Sequence, residues 1–465
     1  MLPCLLAAPA ADTVPVTPLR KAGLEAWLAE APAAATAWVR ATGFTAEAGS
    51  TALVPGEGGA LGRVLVGVPE RLDLWSFAGL PGSLPKGSYR IDAALDAREA
   101  TGAALGWALA CYQFTRYKKS TKEFARLVLP EGADAGAVER TATAAYLVRD
   151  LINTPAEDMG PSDLAAAARR LGDEFGAAVE VIEDGELLTR NYPAVHAVGR
   201  AAAKRPCLID LTWTAPGLGA DAPLVCLVGK GVCFDSGGLD IKGAANMLLM
   251  KKDMGGGAHV LGLARMVMMA KLPVRLRVLV PAVENAVSGN AFRPMDVLPT
   301  RKGLTVEIGN TDAEGRLILC DALAEADGAK PALILDFATL TGAARVALGT
   351  ELPALFANDD RLAEDLLAAA AEADDPLWRL PLWQGYRKQL DSKVADLNNA
   401  PSGGFGGAIT AALFLEQFVS RETPWAHIDL MAWNQSARPG RPEGGEAMAL
   451  RAAFAMLEKR FGRKG

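Results

Sequence analysis

Short apolar runs alternate with helix-patterned segments from about residue 160 to the end of the chain. Strands are predicted at 208–213, 224–228, 275–282, 304–308, 332–337 and 426–430, and helices at about 163–173, 256–271, 314–326, 361–372, 407–419 and 446–460. This alternation is typical of a largely parallel sheet with helices on both faces. The second part of the chain is therefore predicted to be an α/β domain with a central, mostly parallel sheet flanked by helices.

The first part of the chain follows a similar but weaker pattern. Strand-like runs such as 60–66 alternate with Ala-rich helical segments such as 98–113, without a dense polar cluster. A break at Pro130-Glu131-Gly132 precedes one long Ala-rich helix at 135–151. Because 465 residues are too many for one ordinary domain, we predict a smaller N-terminal α/β domain at 1–130, a connecting helix at 131–152 and a second domain at 153–465.

The segment 310–317, NTDAEGRL, has an unusual density of charge. It brings the carboxylates of Asp312 and Glu314 and the guanidinium of Arg316 within five residues. The predicted strand 304–308 precedes it and the predicted helix 314–326 follows, so these side chains would lie at the strand ends of the sheet, where sites in open α/β folds occur. Taken alone, two acids in a first helical turn also suit the helix dipole.

A second cluster makes the dipole explanation insufficient. The segment 230–238, KGVCFDSGG, follows the predicted strand 224–228, and Lys242 and Asp253 come after it. Lys230 and Asp235 therefore leave the carboxyl end of a buried strand. The two clusters can share one crevice at the same edge of the sheet.

Together the clusters offer the carboxylates of Asp235, Asp253, Asp312 and Glu314. Such a set cannot crowd into one pocket unless cations neutralise it. The donors are mostly hard oxygens, which suit Mg²⁺ or Mn²⁺, and Zn²⁺ also accepts carboxylates and a neutral amine. Four acids are enough for two divalent ions sharing a carboxylate, as in two-metal hydrolases.

These motifs carry a family resemblance. KGVCFDSGG, Lys242, KKDMGGGA at 251–258 and NTDAEGRL stand in an order and spacing that resemble the leucyl aminopeptidase (cytosol aminopeptidase) family of two-metal exopeptidases, from about Arg149 to the C-terminus. The resemblance implies that 1–130 is the family's variable N-terminal domain and 153–465 its catalytic domain. It also implies metal ligands at Lys230, Asp235, Asp253, Asp312 and Glu314, and catalytic positions at Lys242 and Arg316.

The resemblance implies an enzyme that releases leucine-like or other apolar N-terminal residues from peptides, using water activated by two ions, Zn²⁺ or Mn²⁺ or else Mg²⁺. Lys230 would coordinate as a neutral amine, so its pKa must fall. Lys242 would stay charged and stabilise the oxyanion. Arg316 would hold a bicarbonate ion that relays a proton. A homohexamer is implied by the same route.

The substrate pocket is less specified. Segments MKKD and DFATLTGA match pocket segments of the family and place Met250, Thr339, Leu340, Gly342 and Ala343 there. Ordinary packing explains these five residues equally well. Where relatives read His-x-Asp-Ile-Ala-Gly, this chain reads HIDLMA at 427–432, and the bulkier residues would narrow the pocket.

Several classes of protein are disfavoured. The net charge of −6 argues against nucleic acid or an anionic membrane as the main partner, and no apolar run reaches the ~18 residues of a membrane span. His-Glu-x-x-His and Gly-x-Ser-x-Gly motifs are absent. The segment 1–11 lacks the basic region of a signal peptide, so a first strand and a cytoplasmic protein are expected.

Two alternatives to an aminopeptidase stay open at this point. Another two-metal hydrolase, such as a phosphoesterase, would use the same carboxylates but would want more cationic groups for phosphate. A non-enzymatic nucleic-acid-binding or assembly role would want a basic groove, which the acidic pI of about 5.4 disfavours. His259 and His427 are expected to be core groups and not ligands.

Overall fold

The computed structural model describes residues 1–401 and 403–462. The chain divides into two compact units, one formed by Met1–Tyr146 with Gln435–Glu443 and the other by Leu147–Asn434 with the chain from Gly444 onward. The division falls inside the long helix Ala135–Asn153, which begins where the connecting helix is predicted. The predicted boundaries at 130 and 152 stay predictions.

The first unit contains a six-stranded sheet. Its strands are β1 (Leu5–Leu6), β2 (Val14–Leu19), β3 (Thr51–Pro55), β4 (Leu61–Gly67), β5 (Ser88–Ile91) and β6 (Arg126–Val128), in the order β1-β6-β5-β2-β4-β3. Only β3 runs antiparallel to its neighbour. The helices are α1 (Leu24–Glu30), α2 (Ala33–Ala41), α3 (Ala97–Ala110) and the part of α4 (Ala135–Asn153) up to Tyr146. A capping box of Asp96 and Glu99 starts α3.

The second unit is built on a nine-stranded sheet. Its strands are β7 (Ala178–Glu183), β8 (Cys207–Thr214), β9 (Leu224–Gly229), β10 (Gly231–Asp235), β11 (Arg275–Asn285), β14 (Leu333–Ala338), β15 (Ala354–Ala357), β16 (Trp378–Arg379) and β18 (Trp425–Asp429). The order is β16-β15-β18-β14-β9-β11-β8-β7, and β10 also pairs with β11. The centre is parallel, and β7, β8 and β15 supply the antiparallel pairings. Together with the helices described next, this sheet confirms the predicted α/β class with a mostly parallel central sheet.

Two smaller sheets complete this unit, β12 (Val297–Pro299), β13 (Thr305–Glu307) and β17 (Leu397–Asn398) in one and β19 (Trp433–Asn434) with β20 (Gly444–Gly445) in the other. The strand predicted at 304–308 is therefore β13 and lies outside the main sheet. It pairs antiparallel with β12 and parallel with β17. The expectation that it belongs to the parallel sheet is wrong, because a run of three residues is too short to show from its pattern which sheet it joins.

Helices cover the main sheet on both faces. They are α5 (Pro161–Phe175), α6 (Gly185–Thr189), α7 (Pro193–Gly199), α8 (Ala244–Met247), α9 (Gly255–Met269), α10 (Glu314–Gly328), α11 (Gly342–Leu348), α12 (Asp360–Glu372), α13 (Gly407–Glu416) and α14 (Leu450–Phe461). Cys226 and Val228 of β9 pack in one hydrophobic cluster with α7, α10 and α13. Val225 and Leu227 point to the opposite face and are also fully buried.

Candidate metal centre

The two charged clusters meet at one edge of the main sheet. Lys230 joins β9 to β10, Asp235 ends β10, and Glu314 begins α10. One carboxylate oxygen from each of Asp235, Asp312 and Glu314 lies within 4.8 Å of the other two. The structure thus brings together acids that are far apart in the sequence.

The remaining predicted ligands lie against these acids. The Nζ atom of Lys230 is 2.7 Å from Asp253 Oδ2 and 2.9 Å from Glu314 Oε1. Asp253 lies in the 3-10 turn Met250–Met254, directly before α9. All five predicted ligands therefore lie in one cluster, which is buried except at Asp312, whose side chain is 32% exposed.

The predicted catalytic Lys242 lies in the same cluster. Its Nζ atom is 2.8 Å from Asp235 Oδ2 and also contacts Asp312 Oδ1. Burial would lower the pKa of Lys242, but the charges of Asp235 and Asp312 outweigh burial and raise it. The ammonium group is therefore charged at neutral pH.

The pKa values of the acids show how crowded the negative charge is. Burial, with the charge of Asp235, raises the pKa of Glu314 to about 8 and that of Asp312 to about 6. Burial acts against ionisation of Asp253 too, but the ammonium groups of Lys230 and Lys252 outweigh it and lower its pKa. Without a metal ion, the lysines supply part of the missing positive charge.

The residues present fit a divalent metal ion. Glu314 Oε2 is buried without a hydrogen-bond partner, and Glu314 Oε1, Asp253 Oδ2 and Asp312 Oδ1 are buried with only lysine ammonium groups beside them. A buried carboxylate oxygen left in this way is costly. Oxygen donors with one amine are ligands that Mn²⁺, Mg²⁺ and Zn²⁺ accept. Lys230 can join the ligands only after losing its proton, which its raised pKa opposes until an ion competes for the amine.

Polar residues absent from the sequence predictions hold the two clusters together. Asn285, at the end of β11, donates from Nδ2 to Asp235 Oδ1 at 2.9 Å and to the carbonyl of Thr311 at 3.1 Å. Thr311 Oγ1 donates to Gly237 O and accepts from the N–H of Asp240. Position just after a predicted strand end was the only available signal for Asn285.

The glycines after Asp253 have a packing role. A β-carbon on Gly256 would lie 2.0 Å from Phe337 O, and one on Gly255 would lie 2.6 Å from Ala432 Cβ. Glycines allow another part of the chain to approach the backbone closely. Here β14 and the segment after β18 approach the backbone of Gly255 and Gly256. The close approach allows the start of α9 to pack directly against the sheet, which places Asp253 there.

Arg316 is buried in the first turn of α10. Its Nη1 donates to the carbonyl of Asn399 at 2.5 Å, while its buried Nε has no hydrogen-bond acceptor. Burial lowers its pKa to about 10, and the guanidinium remains charged at neutral pH. A charged donor without an acceptor in this place is suited to an anion.

The predicted pocket residues lie on two segments beside the cluster. Thr339 Oγ1 donates to Asp253 Oδ1 at 2.7 Å, and Lys230 Nζ donates to Thr339 O at 3.3 Å. The residues that follow Thr339 are Leu340 and, at the start of α11, Gly342 and Ala343. Met250 is buried at the start of the turn that carries Asp253.

The segment after Thr339 is held by an acid that the sequence analysis did not single out. Asp429 Oδ1 accepts from the N–H groups of Leu340 and Thr341 at 2.9 and 3.2 Å, and Oδ2 accepts from Thr341 Oγ1 at 2.6 Å. Asp429 ends β18 and is buried. It therefore fixes the backbone from which Leu340, Gly342 and Ala343 extend.

The two histidines expected in the core are there. His259 Nε2 accepts from the N–H of Met448, and Nδ1 lies 2.6 Å from Gly255 O. His427 Nδ1 lies 2.5 Å from Asp336 Oδ1. Both side chains are fully buried, and neither belongs to the group of candidate metal ligands among the described residues.

Fold and site together define a class: an α/β protein with a carboxylate-rich cluster, able to hold divalent metal, at the strand ends of its main sheet. Residues 146–454 match the cytosol aminopeptidase family, catalytic domain, and residues 14–130 match the M17 aminopeptidase, N-terminal domain. A probable cytosol aminopeptidase of Geobacter sp. (strain M21) is 43% identical over 377 residues, which cover 78% of this chain and 76% of that protein.

Two solved structures are similar over nearly the whole chain. The crystal structure of a cytosol aminopeptidase from Coxiella burnetii has a TM-score of 0.95 and 53% identity, covering 98% of this chain and 99% of that chain. The bottromycin maturation enzyme BotP in complex with Mn has a TM-score of 0.86 and 35% identity, covering 97% and 100%.

This chain belongs to the cytosol aminopeptidase family. It is a metallo-aminopeptidase, a metal-dependent hydrolase that acts as an exopeptidase. Family membership supports the aminopeptidase prediction over the phosphoesterase and nucleic-acid-binding alternatives. Among the described residues, no helix combines the length and the apolar character that crossing a membrane requires.

Proposed function

We propose that Lys230, Asp235, Asp253, Asp312 and Glu314 hold two divalent ions and that the enzyme releases apolar N-terminal residues from peptides at this site. The convergence of Asp235, Asp312 and Glu314 within 4.8 Å carries the proposal. The bound ions would polarise the scissile carbonyl and lower the pKa of a water molecule. Manganese is one candidate, supported by the Mn complex of the similar BotP, and the oxygen-rich donor set also suits zinc or magnesium.

Lys242 provides the positive charge for the reacting carbonyl. Its raised pKa keeps it an ammonium ion, and only 13% of its side chain is exposed. A charge in such a site is much more effective than in water, because little solvent screens it. Lys242 binds the developing oxyanion, and its contacts with Asp235 and Asp312 hold it in place beforehand.

Arg316 would hold an anion, which would supply a proton acceptor for the attacking water. A guanidinium cannot accept a proton itself, whereas an anion bound to it could, and bicarbonate is the anion that the family resemblance implies. The unpartnered Nε of Arg316 supports this role, since it leaves a charged donor for a ligand. Asn399 holds the other end of the guanidinium.

The substrate is a peptide whose first side chain enters a pocket formed by Met250, Thr339, Leu340, Gly342 and Ala343. Support comes from Thr339, whose hydroxyl donates a hydrogen bond to Asp253 and so connects the pocket to the proposed metal ligands. Apolar residues and a flexible methionine suit leucine-like and methionine-like side chains. A homohexamer and a cytoplasmic location are part of the proposal, the first by family resemblance and the second through relatives named cytosol aminopeptidase.

The test combines metal analysis with a panel of aminoacyl p-nitroanilides on wild type and Glu314→Ala. The variant removes a buried ligand, so we expect loss of bound metal and a fall in activity of at least about 100-fold. Glu422→Ala, at an exposed glutamate, is the matched control and should behave as wild type. Full metal occupancy and full activity in Glu314→Ala would refute the assignment, and hydrolysis of p-nitrophenyl phosphate in preference to leucine p-nitroanilide would favour a phosphoesterase.

A further inference from the structure

Asn399 is fully buried, and its side chain makes all of its hydrogen bonds to one loop, residues 309–313. Its Oδ1 accepts from the N–H groups of Gly309 and Asn310 at 2.7 and 3.2 Å. Its Nδ2 donates to the carbonyls of Asn310 and Ala313 at 2.7 and 3.3 Å. A carboxamide offers two donors and an acceptor with two lone pairs, so the whole capacity of this side chain is spent on the loop 309–313.

The same residue holds the guanidinium of Arg316 through its main chain. The carbonyl of Asn399 accepts from Arg316 Nη1 at 2.5 Å, and the N–H of Asn399 donates to Glu307 O in β13 at 3.0 Å. Within the loop, Asn310 Oδ1 accepts from the N–H of Asp312 at 2.7 Å. Asn399 is therefore bonded to the segment that carries Asp312 and, independently, to Arg316.

We propose that Asn399 is a positioning residue for the reaction, which sets the place of the Asp312 carboxylate relative to the guanidinium of Arg316. The inference rests on the roles proposed for Asp312 and Arg316. Asn399 directly follows β17, and β17 pairs with β13. The strand pairing therefore fixes the backbone position of Asn399. Metal ligands and catalytic groups lose effectiveness when their supports shift by a fraction of an ångström, because coordination and proton transfer depend steeply on distance.

The close packing around this residue supports the same conclusion. A β-carbon on Gly309 would lie 2.3 Å from Asn398 Oδ1 and 3.1 Å from Ala400 Cβ. The segment 398–400 therefore lies directly on the loop, without a side chain between them. A change at Asn399 cannot be absorbed by sliding one segment along the other.

A purely structural asparagine is available as a matched control. Asn358 Nδ2 donates to Thr423 O at 2.9 Å, and its Oδ1 accepts from the N–H of Trp425 at 2.8 Å. Trp425 begins β18, and Asp429, which holds the pocket segment, ends it. Asn358 thus bridges loops as Asn399 does, but at the opposite end of this strand.

The test compares Asn399→Asp with Asn358→Asp in the full chain. In each variant a carboxylate oxygen replaces the amide nitrogen that donates to a carbonyl oxygen. Two oxygens then face each other without a hydrogen bond, so both variants should have a lower melting temperature than the wild type. For Asn399→Asp we expect Mn²⁺ binding, measured by calorimetry, to weaken by about 10- to 100-fold, kcat for leucine p-nitroanilide to fall by a similar factor, and KM to change by less than about threefold. Asn358→Asp should retain the wild-type Mn²⁺ affinity and kcat.

Three results would overturn the inference. One is a lower melting temperature in Asn399→Asp with unchanged Mn²⁺ affinity and kcat, and another is the same loss of affinity and kcat in Asn358→Asp. The third is wild-type Mn²⁺ binding by Glu314→Ala, which would remove the proposed metal site and the inference together. Loss of Mn²⁺ binding in Glu314→Ala with none in Asn399→Asp would refute only the role of Asn399. If Asn399→Asp does not fold, Asn399→Ser, which keeps one donor and an acceptor, is judged by the same measurements.

Discussion

Lys230 lies directly against Gly315. A β-carbon on Gly315 would be 2.5 Å from Lys230 Cε and 2.7 Å from its Nζ. The side chain of Lys230 therefore packs directly on the backbone of Gly315. This position lets the amine lie between Asp253 and Glu314. The side chain of Lys230 is only 3% exposed, so it cannot swing out into solvent without disturbing its surroundings.

Gly315→Ala should therefore damage the metal centre although alanine favours a helix by about 1 kcal/mol. The methyl group displaces the Lys230 amine, and we expect at least about tenfold weaker Mn²⁺ binding by calorimetry and a matching loss of activity. Gly328→Ala, in the same helix with no atom within 4 Å of the added methyl, is the control and should bind Mn²⁺ normally. Equal Mn²⁺ affinity in the two variants would contradict this account of Gly315.

Asp429→Asn should change substrate recognition more than catalysis. The amide nitrogen of asparagine cannot accept the hydrogen bond that Asp429 Oδ2 now takes from Thr341 Oγ1. The amide oxygen can still accept from the N–H groups of Leu340 and Thr341, but without the carboxylate charge, so the pocket segment is held less firmly. We expect KM for leucine p-nitroanilide to rise by about tenfold, since a lost hydrogen bond to a charged acceptor is worth about 1.5 kcal/mol, with kcat changed less. Asp359→Asn, which alters the cap of α12, should leave both constants unchanged. A fall in kcat at constant KM would speak against this role.

His427 and His259 should give stability opposite dependences on pH. The charge of Asp336 outweighs burial and raises the pKa of His427, so its contribution is complete below about pH 6.5 and is lost as pH rises through the raised pKa. Burial lowers the pKa of His259 to about 4, so its contribution is present above about pH 6.5 and is lost as pH falls towards 4. Each dependence is at most about 1.4 kcal/mol per pH unit.

Urea unfolding of the metal-free protein at a series of pH values measures both effects. His427→Gln should flatten the fall of the unfolding free energy on the alkaline side, and His259→Gln should flatten it on the acid side. Each variant serves as the control for the other. If both variants lost the fall of the unfolding free energy on the same side of the pH range, the histidines would not be the groups responsible.

Metal binding should release protons. The pKa of Glu314 is raised to about 8 in the metal-free protein, so the carboxyl is mostly protonated at pH 7, and Lys230 also carries a proton that coordination must remove. Mn²⁺ affinity should therefore rise with pH between about 6 and 8, by up to about tenfold per pH unit for each proton released. Calorimetry in two buffers with different ionisation enthalpies counts the protons. Release of none at pH 7 would contradict the ligand roles of Glu314 and Lys230.

Local patterns in the sequence were sufficient for much of the fold. The alternation from about residue 160 predicts most strands and helices of the main sheet, because burial on both faces leaves apolar runs that can be read locally. The helix predicted at 446–460 begins four residues later, at Leu450, and β13 was assigned to the wrong sheet. Sheet membership depends on partners distant in the chain, here β12 and β17, which a short run does not reveal.

The sequence by itself determined which charges this protein must accommodate, since the density of acids in NTDAEGRL and KGVCFDSGG already required cations. Only the tertiary structure decided how they are held. Asn285 and Asn399 reach across 50 and 83 residues to Asp235 and Arg316, and Lys230 fits only because Gly315 lacks a side chain. These relationships come from hydrogen bonds and steric contacts between distant segments, and neither composition nor periodicity records such contacts.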